Sequence, residues 1–445
     1  MKKFMSVLLA LAIAVGTLAG CGGDTANTSS DTGGSGGTDS ASADNQAAAT
    51  DEEPYEIVVE MIGSGVSQPD VEMVEAAINE ITVPAINCTV KFREITIADH
   101  ATQLGLLGTD GDRLDIVFVG YTTSMQNLVS NGLLVGLGDL LEQYAPEMLE
   151  KAGSLMEACY VGDDYYCVPG NYYPALENAV VYDKEMFDKY NIEIPANPEY
   201  SLDYLNKLYD NIKASDFDGY CFTAGDGVGL NITGHRMDQL GSSIGAYGVL
   251  MDMGTDTQIV NAYDTDDYLQ ECLQRRQWWE DGTMVPDSLT SGTSAIGAMQ
   301  ARQVIASFAP LNATTLPNQK KITGIESEAI PMGTGTYLTG TSIPEYGLGV
   351  TVTSEHPEKA VQLLNLIMTN ADLANLINYG IEGVHYEKVS EHIIDYPEGV
   401  DANNVGWGIQ IVTFGDTAQI YQRAPFTEDW YDTLDQYSAE NAELS

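Results

Sequence analysis

One short segment of the chain has the residue types and spacing of a catalytic nucleophile. Residues 241–245 read GSSIG and match G-x-S-x-G, in which a serine on a sharp turn between a strand and a helix attacks a carbonyl carbon. That geometry needs a strand directly before the turn, whereas residues 235–240 have the pattern of a helix or a turn. We therefore do not expect Ser243 to be a nucleophile, or the chain to be an enzyme.

The side chains that could bind metals or phosphates do not form a known motif. The histidines are scattered, H-E-x-x-H is absent, and so are the glycine-rich phosphate and dinucleotide fingerprints. The acidic turns at 110–112 and 264–267 do not complete a calcium loop. The sequence thus predicts no cofactor and no metal. A carboxylate pair for glycoside hydrolysis stays open, because 65 acidic residues always include some suitable pair.

Cys21 has the surroundings of a lipidated cysteine. Lys2 and Lys3 precede an apolar stretch, residues 4–17, which suits a signal peptide but is shorter than the roughly 20 residues of a membrane span. The following Leu-Ala-Gly-Cys resembles the bacterial lipobox. We expect residues 1–20 to be a signal peptide, and a lipid on Cys21 to tether the protein to the extracellular face of the cell membrane. This anchor is the only membrane contact predicted.

Residues 21–53 are predicted to be a disordered linker that leads to a folded body. Beyond Cys21 the segment has no aromatic residue and no Val, Ile, Leu or Met, so ordering it would bury too little apolar surface. The body, residues 54–445, is large enough for two cores. With 19 basic against 65 acidic residues and a net charge of −46, nucleic acid is excluded as a partner. We expect a monomer with an acidic, solubilising surface.

Cys159 and Cys167 are candidates for a disulfide bond. The segment between them reads as a hairpin that turns at residues 162–164. A three-residue loop places Cys159 opposite Cys167, within cross-strand disulfide range. Two small buried thiols are the alternative. Their spacing matches no zinc site.

Strands and helices alternate in the first part of the body. Apolar or alternating segments at 57–62, 88–95 and 114–119 are separated by helical patterns near 69–81 and 98–107. This βαβαβ order predicts a parallel sheet, whose ligands bind beyond the carboxyl ends of the strands. Ser64 and Tyr121 follow the first and third of these strands and are therefore candidate ligand-binding residues.

Several segments together resemble a known protein family. DIVF at 115–118, GDDYYCVP at 162–169 and VVYDKEMFDKYNIEIP at 180–195 resemble the extracellular solute-binding proteins of family 1, which serve ABC importers. Residues 356–389, with GIEGVHY at 380–386, resemble its LipO-like lipoproteins of Gram-positive bacteria. The likeness runs from about Tyr55 to Ser445. Members of that subgroup usually continue past this point, so a reduced C-terminal part is expected.

The resemblance implies an α/β, two-lobed periplasmic-binding-protein-like fold of type II. Each lobe is expected to be a mainly parallel sheet flanked by helices. The implied N-terminal lobe comprises residues 54–170 and 322–378, and the C-terminal lobe comprises residues 171–321 and 379–445. The chain crosses between lobes near residues 168–174, 321–325 and 379–383. A solute, expected to be an oligosaccharide, is captured between the lobes and delivered to a membrane permease.

For a sugar ligand, the sequence offers aromatic residues beside glycines and amides. Sugar sites combine aromatic rings, which cover C–H faces, with planar hydrogen-bonding groups. Tyr172 and Tyr173 lie beside Asn171 at the first crossing, Tyr337 lies in a Gly/Thr-rich loop, and Trp407 stands between two glycines. We expect these five residues to bind ligand. The alternatives that stay open are a cell-surface glycan-active hydrolase and a binding protein for a non-sugar solute such as a peptide.

Overall fold

The computed structural model describes residues 53–63, 65–107, 109, 112–223, 237–240, 248–252, 254–288, 290, 294–333, 335–340, 342–409, 412–438 and 441–444. The helices, in chain order, are α1 (Val71–Ile86), α2 (His100–Gly105), α3 (Met125–Ser130), α4 (Gly138–Tyr144), α5 (Pro146–Ala152), α6 (Lys184–Tyr190), α7 (Leu202–Ala214), α8 (Asp266–Glu280), α9 (Ala295–Gln300), α10 (Thr315–Thr323), α11 (Pro357–Thr369) and α12 (Ala371–Tyr379). Single 3₁₀ helices span Gly153–Cys159, Ala262–Asp264 and Glu428–Tyr437.

The strands are β1 (Tyr55–Gly63), β2 (Cys88–Thr96), β3 (Ile116–Val119), β4 (Tyr160–Val161), β5 (Asp164–Tyr165), β6 (Glu177–Asp183), β7 (Met237–Gln239), β8 (Gly248–Met251), β9 (Ile259–Asn261), β10 (Ala306–Leu311), β11 (Ser327–Pro331), β12 (Tyr337–Leu338), β13 (Gly347–Val350), β14 (Glu387–Lys388), β15 (Ile393–Asp395), β16 (Gln422–Arg423) and β17 (Glu443–Leu444). None of the helices in the described part of the chain combines the length and the apolar character that crossing a bilayer requires.

The first sheet confirms the predicted βαβαβ segment. Its strand order is β13-β3-β1-β2, and β1 runs parallel to both β2 and β3. All four residues of β3 are buried, as expected for a strand covered on both faces. Helix α1 buries Val74 and Ile78 and ends where Asn87 adopts a left-handed conformation (φ 51°), which turns the chain into β2. Strand β13 closes the sheet from a distant part of the sequence and runs antiparallel to β3.

The second sheet is antiparallel, which corrects the expectation of a mainly parallel sheet in each lobe. Its order is β10-β6-β11, and both outer strands run opposite to β6. Strands β10 and β11 are parallel to each other and are joined through α10, but β6 lies between them. Every residue of β6 is buried, and Asp183 at its end caps α6 by accepting a hydrogen bond from the Met186 N–H at 3.0 Å.

The two main cores draw on segments from several parts of the chain, and the predicted lobe boundaries stay a prediction. Strand β11, which follows residue 322, pairs with β6 of the second sheet. Leu338 is the first later residue packed in the first core, while Ala175 is the last before the chain enters the second sheet. Trp407 and Phe414, from the segment 379–445, also lie in the first core.

The hairpin that contains Cys159 and Cys167 has a different register from the predicted one. Strands β4 and β5 pair Val161 with Asp164, so two residues rather than three form the loop. Cys159 therefore faces Tyr166, whose N–H donates to the Cys159 carbonyl at 3.1 Å. Both cysteines are buried free thiols in the structure. The two side chains still interact. A hydrogen bond to Cys159, together with burial, raises the pKa of Cys167.

Candidate ligand-binding site

A cavity of about 790 Å³ lies between elements of the first core and elements of the second sheet. One wall comprises the loop after β1, the end of α12 and residues 407–409. The opposite wall comprises residues 312–314, which follow β10, and the exposed side of α10. The volume is within the range of small-molecule sites, about 300–1,000 Å³. The cavity is therefore the candidate binding site.

The first crossing segment lines this cavity. Gly170, Asn171 and Tyr173 all contribute to its surface. The Asn171 carboxamide oxygen accepts the Tyr173 N–H at 2.8 Å, so this amide also holds the local turn. Tyr173 is half-buried, and burial, followed by the charge of Asp416, raises its pKa to about 12. The Tyr173 hydroxyl is therefore a neutral hydrogen-bonding group at physiological pH.

Trp407 belongs to the cavity lining, but its side chain is buried beneath the surface. Its side chain is 0% exposed, its indole N–H donates to the Ile377 carbonyl at 2.9 Å, and its ring packs on Phe92 with centroids 5.3 Å apart. It can shape the cavity wall, but it offers no open ring face to a sugar. That Trp407 binds ligand stays a prediction.

Tyr121 and Tyr172 do not line the cavity. The Tyr121 ring packs on Tyr346, with centroids 4.8 Å apart, and it is Tyr346 that reaches the surface. Tyr172 is 7% exposed and lies below Lys151, whose ammonium is 5.6 Å from the ring centroid. Both residues support the site from behind.

Of the two remaining predicted site residues, Tyr337 is not part of the described cavity lining. Tyr337 pairs through its backbone with Leu176, and its hydroxyl donates to Asn178 at 3.4 Å. Ser64 lies outside the described residues, as does Cys21. The loop that follows β1 does reach the cavity, however, through Val66, Ser67 and Gln68. The position of this loop agrees with the rule for the carboxyl ends of parallel strands.

Much of the lining was missed by the sequence reasoning. Besides the predicted residues, the cavity lining contains tyrosine rings, amides and a hydroxyl from separate segments of the chain, namely Tyr346, Tyr379, Tyr396, Asn312, Asn318 and Thr314. Some amides are already used: Gln68 donates to the Gly408 carbonyl and accepts from the Gly408 N–H. No sequence motif marks these residues, because the fold brings them together from positions far apart in the chain.

The electrostatic character of the cavity is opposite to that of the protein. The lining residues include Lys321 and Arg423 but no Asp or Glu. Burial lowers the pKa of Arg423. Burial within the cavity walls, followed by the charge of Arg423, lowers the pKa of Lys321, although the side chain keeps contact with solvent. Two cations therefore stand in a cavity of a chain whose net charge is −46.

The candidate catalytic motif gains no support from its surroundings. Residues 241–245 lie outside the described residues, but the segment before them is strand β7, not the predicted helix or turn. The next described element is β8, which pairs antiparallel with β7, so the motif does not connect a strand to a helix as a nucleophile elbow does. Within the described ranges, no group of three or more His, Cys, Asp or Glu is arranged to hold a metal.

Comparison with known proteins agrees with this architecture. Residues 76–381 match the family described as bacterial extracellular solute-binding protein. The chain is 22% identical over 339 residues to a Streptococcus pneumoniae protein named carbohydrate ABC transporter substrate-binding protein. That alignment covers 75% of this chain and 66% of the relative, slightly less than two thirds of its length.

Solved structures show the same fold at low identity. The N-glycan transport solute binding protein (NgtS) from Streptococcus pneumoniae superposes with a TM-score of 0.70 at 19% identity, covering 88% of this chain and 84% of the other. An extracellular solute-binding protein from Bifidobacterium longum subsp. infantis gives 0.57 at 14%, covering 88% and 82%. The fold is thus the two-lobed α/β fold of solute-binding proteins. The family match spans more than half of the sequence, and the chain belongs to the bacterial extracellular solute-binding proteins.

Proposed function

We propose that this chain captures an oligosaccharide in the cavity between its lobes and delivers it to the permease of an ABC importer. The observation that carries the proposal is the cavity itself, about 790 Å³ in volume and lined by tyrosine rings and carboxamides. Tyrosine rings cover the apolar faces of sugar rings, while amides and hydroxyls bond to the hydroxyl rim. A peptide or another polar solute is the competing ligand class.

The relatives support a carbohydrate ligand. The Streptococcus pneumoniae relative is named for carbohydrate transport, and NgtS has been solved in complex with Man5GlcNAc and Man1GlcNAc. The likeness is greater to the NgtS structure described without a glycan, with a TM-score of 0.70, than to these complexes, at 0.62 and 0.61. Capture would proceed by closure of the lobes around the ligand, driven by contacts that only the closed state makes.

Binding without hydrolysis fits the cavity better than a glycan-active hydrolase. Glycoside hydrolysis requires two carboxyl groups on either side of the scissile bond. The described lining of the cavity includes no Asp or Glu. A solute held there meets hydrogen-bonding groups and rings, but no acid and no nucleophile of the carboxylate type.

The N-terminal segment completes the proposal. A lipid on Cys21, after removal of residues 1–20, would hold the protein at the extracellular face of the membrane, and residues 21–53 would act as a flexible tether. The resemblance of residues 356–389 to LipO-like lipoproteins supports this arrangement. The protein would act as a monomer that binds the permease transiently.

The direct test is isothermal titration of the purified protein with neutral oligosaccharides, starting with Man5GlcNAc, and with peptides of similar size. We expect saturable binding of at least one oligosaccharide with no change in its length after incubation. Binding of peptides alone would refute the carbohydrate ligand, and shortened products would establish a hydrolase.

A substitution then ties binding to the cavity. Tyr346→Ala removes a ring that lines the cavity, so the affinity for the oligosaccharide should fall about tenfold. Tyr160→Ala is the matched control, because Tyr160 lies on β4, is 47% exposed and does not line the cavity. Equal affinities for the two variants would place the ligand elsewhere.

A further inference from the structure

Arg423 is held in the cavity in a way that leaves part of its guanidinium unused. It lies on β16, with the Tyr396 ring 3.7 Å and the Tyr379 ring 5.9 Å from its central carbon. Its Nη1 atom is buried and has no hydrogen-bond partner among the described residues. Aromatic contact covers a face of the guanidinium, while the N–H donors point outward in its plane. Because Arg423 also lines the cavity, its unpaired Nη1 is the donor that we expect a ligand to engage.

Lys321 provides a second positive charge at the same place. It lies on α10 and lines the same cavity as Arg423, and burial, followed by the positive charge of Arg423, lowers the pKa of Lys321. Its neighbour Lys320 pairs with Glu326 at 2.6 Å, but no carboxylate in the described ranges pairs with Lys321. The charge of Asp395, beside Tyr396, acts to raise the pKa of Arg423. Asp395 is exposed, however, and is not part of the cavity lining.

Two neighbouring cations without an anion are unfavourable where protein replaces water. Each loses solvation, and their mutual repulsion adds to the cost. The chain has 65 acidic residues, so placing a carboxylate in the lining would have been the simplest compensation. Charged groups left unpaired in a cleft are candidates for a functional site.

We propose that the captured oligosaccharide carries a negatively charged group, and that Arg423 and Lys321 bind this group. A carboxylate, such as that of a uronic acid, matches the planar edge of Arg423, because guanidinium and carboxylate form two parallel hydrogen bonds. Lys321 supplies a mobile donor to the same group. This inference rests on the proposed function and specifies the substrate class within it.

The test compares charged sugars with neutral partners of the same shape. Titrations use trigalacturonate against its methyl ester, 3′-sialyllactose against its methyl ester, and lactose 6-sulfate against lactose, which lacks only the sulfate. At least one charged member should bind about tenfold or more tightly than its neutral partner, since a hydrogen bond to a charged group contributes about 1.5–3 kcal/mol. The carboxylate and sulfate pairs distinguish the two kinds of anion.

Variants assign the preference to the two cations. Arg423→Gln and Lys321→Gln should each reduce the ratio of charged to neutral affinity to near one. Arg276→Gln, on the exposed side of α8, removes the same charge outside the cavity and should preserve the ratio. Because Arg423→Gln also disturbs the contact with Tyr396, a salt titration of the unaltered protein gives an independent readout. Sodium chloride should weaken the binding of the charged sugar and leave the binding of its neutral partner unaffected.

The outcomes separate this inference from the proposed function. Equal binding within every pair, or a preference for the neutral members, would overturn the anionic substrate and leave oligosaccharide capture standing. If a protein that unfolds cooperatively binds neither the charged nor the neutral sugars, both the anionic substrate and oligosaccharide capture would be overturned.

Discussion

Trp407 shows how the sequence neighbours of a residue differ in meaning from its surroundings in the fold. Its place between two glycines made it a candidate ligand-binding residue. The structure explains Gly406 differently, because a Cβ there would lie 1.8 Å from the Asp70 carboxylate. The two loops approach closely here, since the Asp70 N–H donates to the Gly406 carbonyl at 3.1 Å, and the neighbouring indole packs in the first core.

Replacing Trp407 should thus affect folding before it affects binding. Trp407→Ala removes a fully buried indole and leaves a cavity, so the free energy of unfolding should fall by about 3–5 kcal/mol. Urea unfolding followed by circular dichroism measures this change. Trp279→Ala is the control, since Trp279 is 51% exposed and should cost far less. A stable Trp407→Ala protein with weakened ligand binding would restore the original assignment to the ligand.

At the scale of elements, the first crossing segment is bound tightly to the first sheet. Val168 and Leu348 of β13 exchange backbone hydrogen bonds at 2.9 and 3.0 Å. Two residues later, a Cβ on Gly170 would lie 2.0 Å from the Tyr346 carbonyl oxygen. Gly170 and Tyr346 both line the cavity, so the closeness of these two backbones sets the position of the ring that we expect to contact ligand.

Gly170→Ala should disturb this arrangement. The added methyl forces the crossing segment away from residue 346, so the free energy of unfolding should fall by about 1–3 kcal/mol, as for other overpacked sites. Oligosaccharide affinity should fall with it. Thermal unfolding and titration measure the two effects. Gly105→Ala, at the end of α2, meets no atom within 4 Å and should be neutral or slightly stabilising. Equal behaviour of the two variants would contradict the packing argument.

The burial of the cysteines leads to a prediction about their reactivity. Among the five cysteines after Cys21, Cys272 is exposed and the others are buried. Burial raises the pKa of Cys88 to about 11 and that of Cys221 to about 12, so neither forms much thiolate at pH 8. The folded protein should therefore react with iodoacetamide mainly at Cys272, as measured by mass spectrometry of the peptides.

The same measurement in denaturant decides the state of Cys159 and Cys167. Five reactive thiols after Cys21 correspond to the free cysteines of the structure. Three would mean that the two neighbouring sulfurs had formed the bond considered from the sequence.

For the whole molecule, the dominant quantity is the net charge of −46. Like charges on a compact body repel one another, and salt screens that repulsion over about 30 Å at 0.01 M but about 10 Å at 0.1 M. Raising sodium chloride between these concentrations at pH 7 should therefore raise the melting temperature by at least about 2 °C. The same step near pH 4.1, the isoelectric point of the sequence, should have much less effect. A falling melting temperature at pH 7 would show that favourable ion pairs outweigh the repulsion.

The sequence by itself determined the family, the two-lobed α/β fold and the strands β1, β2 and β3. These follow from local patterns: apolar runs, helical spacing of Val74 and Ile78, and motifs such as residues 180–195. Asp183 as a helix cap is of the same kind, because a cap depends on residues only three positions apart. Such signals can be recognised in the sequence alone because each element is specified by residues close together in the chain.

Only the tertiary structure decided the direction of the second sheet, the return of the chain to the first core and the composition of the site. Strand β11 follows a helix as a parallel strand would, but its partner is β6, about 150 residues earlier in the chain. Tyr346, Lys321 and Arg423 have no neighbours in sequence that mark them as ligand-binding residues. They meet because β13, α10 and β16 come from separate segments and pack around one cavity. Contacts of this kind depend on the closure of two cores against each other, which no local pattern records.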